Sequence, residues 1–151
     1  RIPSFSLGFG PRKIKKKSGA KEILGTNHKF SVLLSGLDSA RRIVDKNGIF
    51  AADVVIVPLE DGDRTMALRR AGKTVITFDL NPLSRTSQTA NITIVDNVVR
   101  AIDLLIITCK KLSKKNKKTL EKIVKDFDNK KNLEDNIVEI RDYLTRRSNI
   151  A

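Results

Sequence analysis

Three short apolar runs between residues 53 and 101 leave few folds open to this chain. The first begins DVVIVPLEDGDRT (Asp53 to Thr65), the second TVITFDLNPLSRT (Thr74 to Thr86), and the third NITIVDNVVRA (Asn91 to Ala101). Each run is rich in β-branched residues and does not alternate apolar with polar. That pattern suits a strand covered on both faces, as in a parallel sheet. Between the first two runs, DRTMALRRAG has the length and composition of one helix, so strand, helix and strand follow as a βαβ unit. In such sheets ligands gather beyond the carboxyl ends of the strands. Function is therefore expected in the charged and hydroxyl-rich loops at the end of each run.

The formal charge of the 151-residue chain is +13, and its distribution decides what that implies. Residues 1 to 21 hold seven Lys or Arg and no acid; residues 22 to 108 hold ten of each; residues 109 to 151 hold thirteen basic and seven acidic residues. The excess sits at the two ends, around a neutral middle. Screening over about 8 Å at physiological salt keeps basic ends from imposing their field on a distant pocket. The ends suit an acidic partner such as RNA or a membrane surface, or simply a solubilising or salt-adapted surface. Tyr143 is the only tyrosine and there is no tryptophan, so little is available to stack on bases. No apolar run approaches the roughly 18 residues of a membrane span. The single cysteine, Cys109, excludes an internal disulfide framework and fits a reducing cytoplasm.

Residues 1 to 18, with Gly8, Gly10, Pro11 and a basic cluster from Arg12 to Lys17, are poor material for a regular element and are expected to be a basic linker or remnant. Arg1 is not an initiator methionine, and the start is expected to be processed or incomplete. A nucleotide-binding core is expected over 19 to 112, and a lysine-rich helical extension over 113 to 151. Within the core, Ala20 to Leu24 and Phe30 to Leu34 suit short strands. A helix is expected from an N-cap at Asp38 or Ser39 through Arg41, Arg42, Ile43 and Val44 to Gly48, with Arg41 and Arg42 candidates for an anion clamp. Ile49 to Leu59 is then expected to return to the sheet. His28 is the only histidine, so neither a histidine metal cluster nor a Ser/His/Asp triad can be assembled.

Glu60, Asp61 and Asp63 place three carboxylates within four residues, followed by Arg64. Asp61 or Asp63 can cap the next helix. The remaining acids call for a compensating cation: Mg²⁺, an amine, or Arg64. Asp79 ends the second run, and a carboxylate there can accept hydrogen bonds from a ribose. Ser84, Arg85, Thr86 and nearby amides can donate to phosphate. Pro82 stiffens the turn. Neither a Walker loop nor a GxGxxG fingerprint is present. Asn97 can cap a helix running to about Leu112, turning the amides near Asn97 and Val98 toward the same region. Ile102, Leu104, Leu105, Ile106 and Ile107 are apolar around most of that helix, which is expected to be heavily buried with Cys109 in the core. Leu120, Ile123, Val124 and Phe127, then Leu133, Ile137, Ile140 and Leu144, mark two amphipathic helices joined near Asp128 to Asn132.

VPLEDGDRT, DLNPLSRT and TIVDNVVRA, in this order and spacing, resemble the C-terminal part of the archaeal 4-phosphopantoate–β-alanine ligase family, also called phosphopantothenate synthetase. GAKEILG and the segment from Gly36 to Asp53 resemble it more loosely, and the resemblance covers about residues 19 to 108. It implies an α/β, Rossmann-like three-layer fold with a mainly parallel sheet, joined here by C-terminal amphipathic helices. It also implies a homodimer. The family reaction uses ATP, with Mg²⁺ expected alongside, to join 4-phosphopantoate to β-alanine through an acyl adenylate, releasing AMP and diphosphate. Carried onto matching positions, ATP contacts are expected at Asp79, Leu80, Asn81, Arg85, Thr86, Asn97 and Val98. Glu60, Asp61, Asp63 and Arg64 are expected to meet metal, amine or phosphopantoate. Members of the family carry an N-terminal helical region that adds basic residues to the nucleotide site, and residues 1 to 18 do not resemble it. The alternatives are a truncated nucleotide-binding or regulatory remnant and a basic RNA-associated protein.

Overall fold

The computed structural model describes residues 23–25, 28–36 and 42–148. They fall into two compact units: the described residues up to Ile56 together with Asp63–Val75, and Val57–Gly62 together with the described residues from Ile76 onward.

In the first unit, β1 (Ser31–Leu33) pairs antiparallel with β2 (Ile43–Asp45), Val32 lying opposite Val44. The helix expected from Asp38 or Ser39 to Gly48 is therefore corrected over its described part. Ile43 and Val44 are β-branched and have a strand partner. Asp45, which follows them, turns its carboxylate to the amides of Asn47 at 2.8 Å and Gly25 at 2.9 Å, a local bonding pattern that competes with helix. Residues 37–41, including the expected cap and Arg41, lie outside the described residues; Arg42 is exposed. Of the strand expected at Ala20 to Leu24, only Ile23 and Leu24 are described, and Leu24 stands in a turn with Gly25. The return to the sheet is shorter than Ile49 to Leu59: Ile49 to Ala51 form a turn, and β3 covers Val54–Val57.

Helix α1 (Gly62–Arg70) matches the expected βα connection and buries Thr65, Ala67 and Leu68. It stops where Gly72 takes φ 76°. There the Lys73 amide donates to the Leu68 carbonyl at 3.0 Å and the Gly72 amide to Arg69 at 3.0 Å, a Schellman closure that satisfies the last carbonyls.

The main sheet is three-stranded and parallel, in the order β3-β4-β5, with β4 at Thr74–Phe78 and β5 at Ile92–Ile94. Val75, Thr77 and Phe78 are buried, as a strand covered on both sides requires. The α/β fold with a parallel sheet is thus as the runs predict, and it is Rossmann-like. In the second unit, a short helix α2 (Arg85–Thr89) leads to β5, and α3 (Val98–Leu112) continues from an N-cap at Asn97. The two expected amphipathic helices are α4 (Lys117–Asp126) and α5 (Asn129–Ser148), separated by Phe127 and Asp128. Helix α3 corrects its expectation: only Ala101 is buried, while Val99 is 75% exposed, Ile106 48% and Ile107 50%. Cys109 is likewise exposed rather than in the core. An apolar composition reports what a helix could bury; the described residues do not cover this one.

A Cβ at Gly72 would meet no atom within 4 Å, so Gly72→Ala isolates the cost of a left-handed backbone. It is expected to lower unfolding free energy by about 1 kcal/mol, measured by urea denaturation; an unchanged midpoint would show that the turn does not hold this conformation.

Candidate functional site

Parallel pairing sets the site's position. Phe78 lies opposite Ile94, and the Asp79 amide donates to the Ile94 carbonyl at 3.1 Å, so the segments beginning at Asp79 and at Val95 leave the same edge of the sheet. Thr77 Oγ1 donates to the Val57 carbonyl at 2.9 Å, tying the last residue of β3 to β4. Glu60 and Asp61 come three and four residues later.

The DLNPLSRT segment is built on Asp79, which is buried. One of its oxygens accepts the Asn81 amide at 2.9 Å, and the other accepts the Ser84 hydroxyl. Asn81 Oδ1 accepts the Leu83 amide at 2.9 Å, and the Asn81 carbonyl accepts the Ser84 amide at 3.1 Å and the Ser87 hydroxyl at 2.8 Å. Ser84 then caps α2 by accepting the Ser87 amide at 3.0 Å. Arg85 and Thr86, expected in a loop, are the first residues of this helix. Because the Ser84 proton is committed to Asp79, Ser84 holds the carboxylate rather than standing ready to donate elsewhere. A carboxylate offers about four lone-pair sites, so two internal bonds leave Asp79 capacity for another donor. Leu80, Asn81 and Arg85 are exposed around it.

Thr86 is fully buried. Its hydroxyl accepts the Asp61 amide at 3.0 Å and donates to Glu60 Oε1 at 3.1 Å, so it binds the acidic turn to α2. Gly62 lies in the same place: a Cβ there would sit 2.4 Å from Arg85 Nε and 3.2 Å from Arg85 Cβ. Glu60, Asp61, Arg85 and Thr86 are thereby brought together. Asp63, exposed, and Arg64, half-buried, stand in the first turn of α1 within the other unit. Among the described residues no group of three or more His, Cys, Asp or Glu is arranged to hold a metal ion.

Asn97 acts as the sequence predicts, its Oδ1 accepting the Val99 amide at 2.9 Å at the start of α3. Asp96 beside it forms an ion pair with Arg100 one turn on. The Arg100 guanidinium and then the Asn97 amide hold the Asp96 carboxyl below the usual carboxylate range, and Asp96 in turn raises Arg100.

Sequence reasoning misses Asn129 and Asn132. Asn129 Oδ1 accepts the Thr93 amide at 2.8 Å, and its Nδ2 donates to the carbonyls of Ser87 at 3.1 Å and Ala90 at 3.2 Å. Asn132 Nδ2 donates to the Thr93 carbonyl at 3.0 Å. The available signal is a pair of asparagines three apart at a helix start, within a segment whose other polar residues are nearly all charged.

In α/β proteins with a parallel sheet, ligands generally bind at the carboxyl edge, where these polar loops lie. More narrowly, residues 12–143 match the model of the phosphopantothenate/pantothenate synthetase family, and the chain belongs to that family. The match is wider than the segment its motifs mark, reaching into both basic ends. The chain is 50% identical over 129 residues to a 4-phosphopantoate–β-alanine ligase of Methanosarcina mazei, covering 85% of this chain and 50% of that protein. It is 50% identical over 133 residues to one of Thermococcus kodakarensis, covering 88% and 50%, and 47% identical to one of Thermococcus onnurineus over the same shares. The chain thus spans about half the length of the curated relatives it matches.

Gly62→Ala gains up to about 1 kcal/mol of helix propensity but drives a methyl into Arg85; overpacking of this kind costs about 1 to 3 kcal/mol. Net destabilisation in denaturant is expected, and a stabilised variant would mean that Arg85 does not lie over Gly62. Asp96 is depressed in the folded chain, so the stability it adds is present above its unfolded value of about 3.9 and is lost as pH falls through the lower folded value. Protection from amide exchange at the start of α3, taken relative to the intrinsic rate at each pH, should fall over that acid window, and Asp96→Asn should remove the fall.

Proposed function

We propose that the chain is an ATP-dependent acid–amine ligase joining 4-phosphopantoate to β-alanine, giving 4′-phosphopantothenate, AMP and diphosphate, in coenzyme A biosynthesis. The observation that carries the reading is 50% identity over 129 residues to a protein of that name. The family match does not favour a regulatory remnant or a basic RNA-associated protein.

In this reading Asp79, pre-set by Ser84 and Asn81, accepts from the ribose of ATP, while Leu80 and Asn81 border the nucleotide. Arg85 and the amide at Val98 face its phosphates at the start of α3, where Asn97 contributes as the cap while its own amide is held by Asp96. Thr86 serves by holding Glu60 and Asp61 in place. Those two acids suit the ammonium of β-alanine, and Asp63 and Arg64 are the weaker candidates for phosphopantoate contacts. Mg²⁺ would travel with the phosphates of ATP, since the described residues gather no ligand set of their own for it. The phosphopantoate carboxylate attacks the α-phosphorus, diphosphate leaves, and the β-alanine amine displaces AMP from the acyl adenylate. No protein nucleophile is needed. The residues act by placement and by stabilising charge as it moves.

We further propose a homodimer that covers the apolar side of α3, where Ile106 and Ile107 are half exposed, in a soluble cytoplasmic enzyme. No helix among the described residues is long and apolar enough to cross a membrane.

AMP release from ATP is expected only when 4-phosphopantoate and β-alanine are both present, assayed with this chain alone and with the remaining half of a relative supplied. Arg85→Ala should reduce the rate about 100-fold, the loss of roughly 2.7 kcal/mol that removing one charge-stabilising donor typically causes. Release that ignores either substrate would rule out the ligase reading. For the dimer, Ile106→Glu with Ile107→Glu should halve the mass found by sedimentation equilibrium, and a monomeric unaltered chain would refute it.

A further inference from the structure

We propose that Asn129, the first residue of α5, is a positioning residue for the DLNPLSRT loop, so that a C-terminal helix sets the geometry of the nucleotide site. The inference rests on the ATP-binding reading above. Asn129 is joined to that loop by an unbroken route. Its Nδ2 donates to the Ser87 carbonyl at 3.1 Å; the Ser87 hydroxyl donates to the Asn81 carbonyl at 2.8 Å; and the Ser87 amide donates to Ser84 Oγ at 3.0 Å, whose proton goes to Asp79. Thr93 Oγ1 braces the same Ser87 carbonyl at 2.8 Å.

Two physical features make this more than general packing. Ser87 is fully buried, so no water can replace a lost partner, and its amide, carbonyl and hydroxyl are all hydrogen-bonded within the protein. Asn129 also presents an acceptor to Thr93 N and donors to Ser87 and Ala90 at once, which fixes the amide's orientation and, through it, the phase of α2 against β5. Asn132 makes a comparable bond to the Thr93 carbonyl but reaches Ser87 only at second hand, through the Thr93 hydroxyl. It therefore separates stability from positioning.

The test compares N129D with N132A in the full chain. N129D keeps an acceptor for Thr93 N but sets a carboxylate oxygen against the Ser87 and Ala90 carbonyls. Urea melts measure the stability each variant loses. ATP titration well below either melting transition is expected to give a dissociation constant about tenfold higher for N129D, one factor of 1.4 kcal/mol, and an unchanged one for N132A. An unchanged constant in N129D, or equal weakening in both variants, overturns the proposal. Should N129D not fold, S87A cuts the route at the Asn81 carbonyl while leaving the Asn129 bonds in place; the same weakening is expected, and its absence counts against the proposal. If the unaltered chain does not bind ATP, the ligase reading fails separately. Amide exchange at Asn81 and Ser84 then decides the link: faster exchange in N129D than in N132A supports it, and equal exchange overturns it.

Discussion

The parallel pairing of β4 with β5 is the constraint on which the rest depends. Parallel neighbours finish at the same edge, so the segments after Phe78 and after Ile94 must emerge side by side. That single fact brings a buried aspartate and a helix start to the same edge of the sheet. Strand β5 stands at the margin of the described sheet, where its outward peptide groups would ordinarily face water or another strand. Here the Thr93 amide and carbonyl are met by the side-chain amides of Asn129 and Asn132. The first turn of α5 thus takes the place of a fourth strand, and the C-terminal segment becomes part of the core architecture rather than an appendage.

What could be read from the chain divides along a physical line. Strands β3, β4 and β5, helix α1 and the cap at Asn97 arise from local chemistry: β-branched runs, a glycine able to adopt positive φ, and a side-chain oxygen placed to receive a helix amide. Ile43 and Val44 look helical in sequence because their strand partner, Val32 and its neighbours, lies across a gap that periodicity does not reveal. Helix α3 misleads for a different reason. Its composition is apolar, but whether an apolar face is covered depends on what else is present, and no window of sequence holds that information. The candidate site was legible as a set of residue types at strand ends. The division of labour within it was not: Ser84 and Thr86 are turned inward to hold Asp79, Glu60 and Asp61, and only coordinates distinguish a hydroxyl that holds a ligand group from one that meets the ligand.

The family match and the geometry answer different questions. Half the length of the relatives is spanned at about 50% identity, which fixes ancestry and, with it, the chemistry worth testing. The geometry explains how a loop without a glycine-rich phosphate fingerprint can still be ordered. Asp79 anchors the turn through Asn81 and Ser84, Gly62 lets Arg85 lie close, and Thr86 joins the acidic turn to α2. Each is a short-range device whose failure would be felt first at the sheet edge.

Among the described residues, four of the six largest side chains with essentially no exposure carry hydroxyls, Thr65, Thr77, Thr86 and Ser87, and those of Thr77, Thr86 and Ser87 are hydrogen-bonded. An interior of hydrocarbon tolerates exchange among residues of similar bulk, because dispersion has no preferred direction. Hydroxyls do have one. Valine at position 77 or 86 would occupy nearly the same volume yet leave the Val57 carbonyl or the Asp61 amide without its companion. The interior of this molecule is therefore specified by orientation as much as by shape, and redesign guided by volume alone would fill it correctly while disconnecting it.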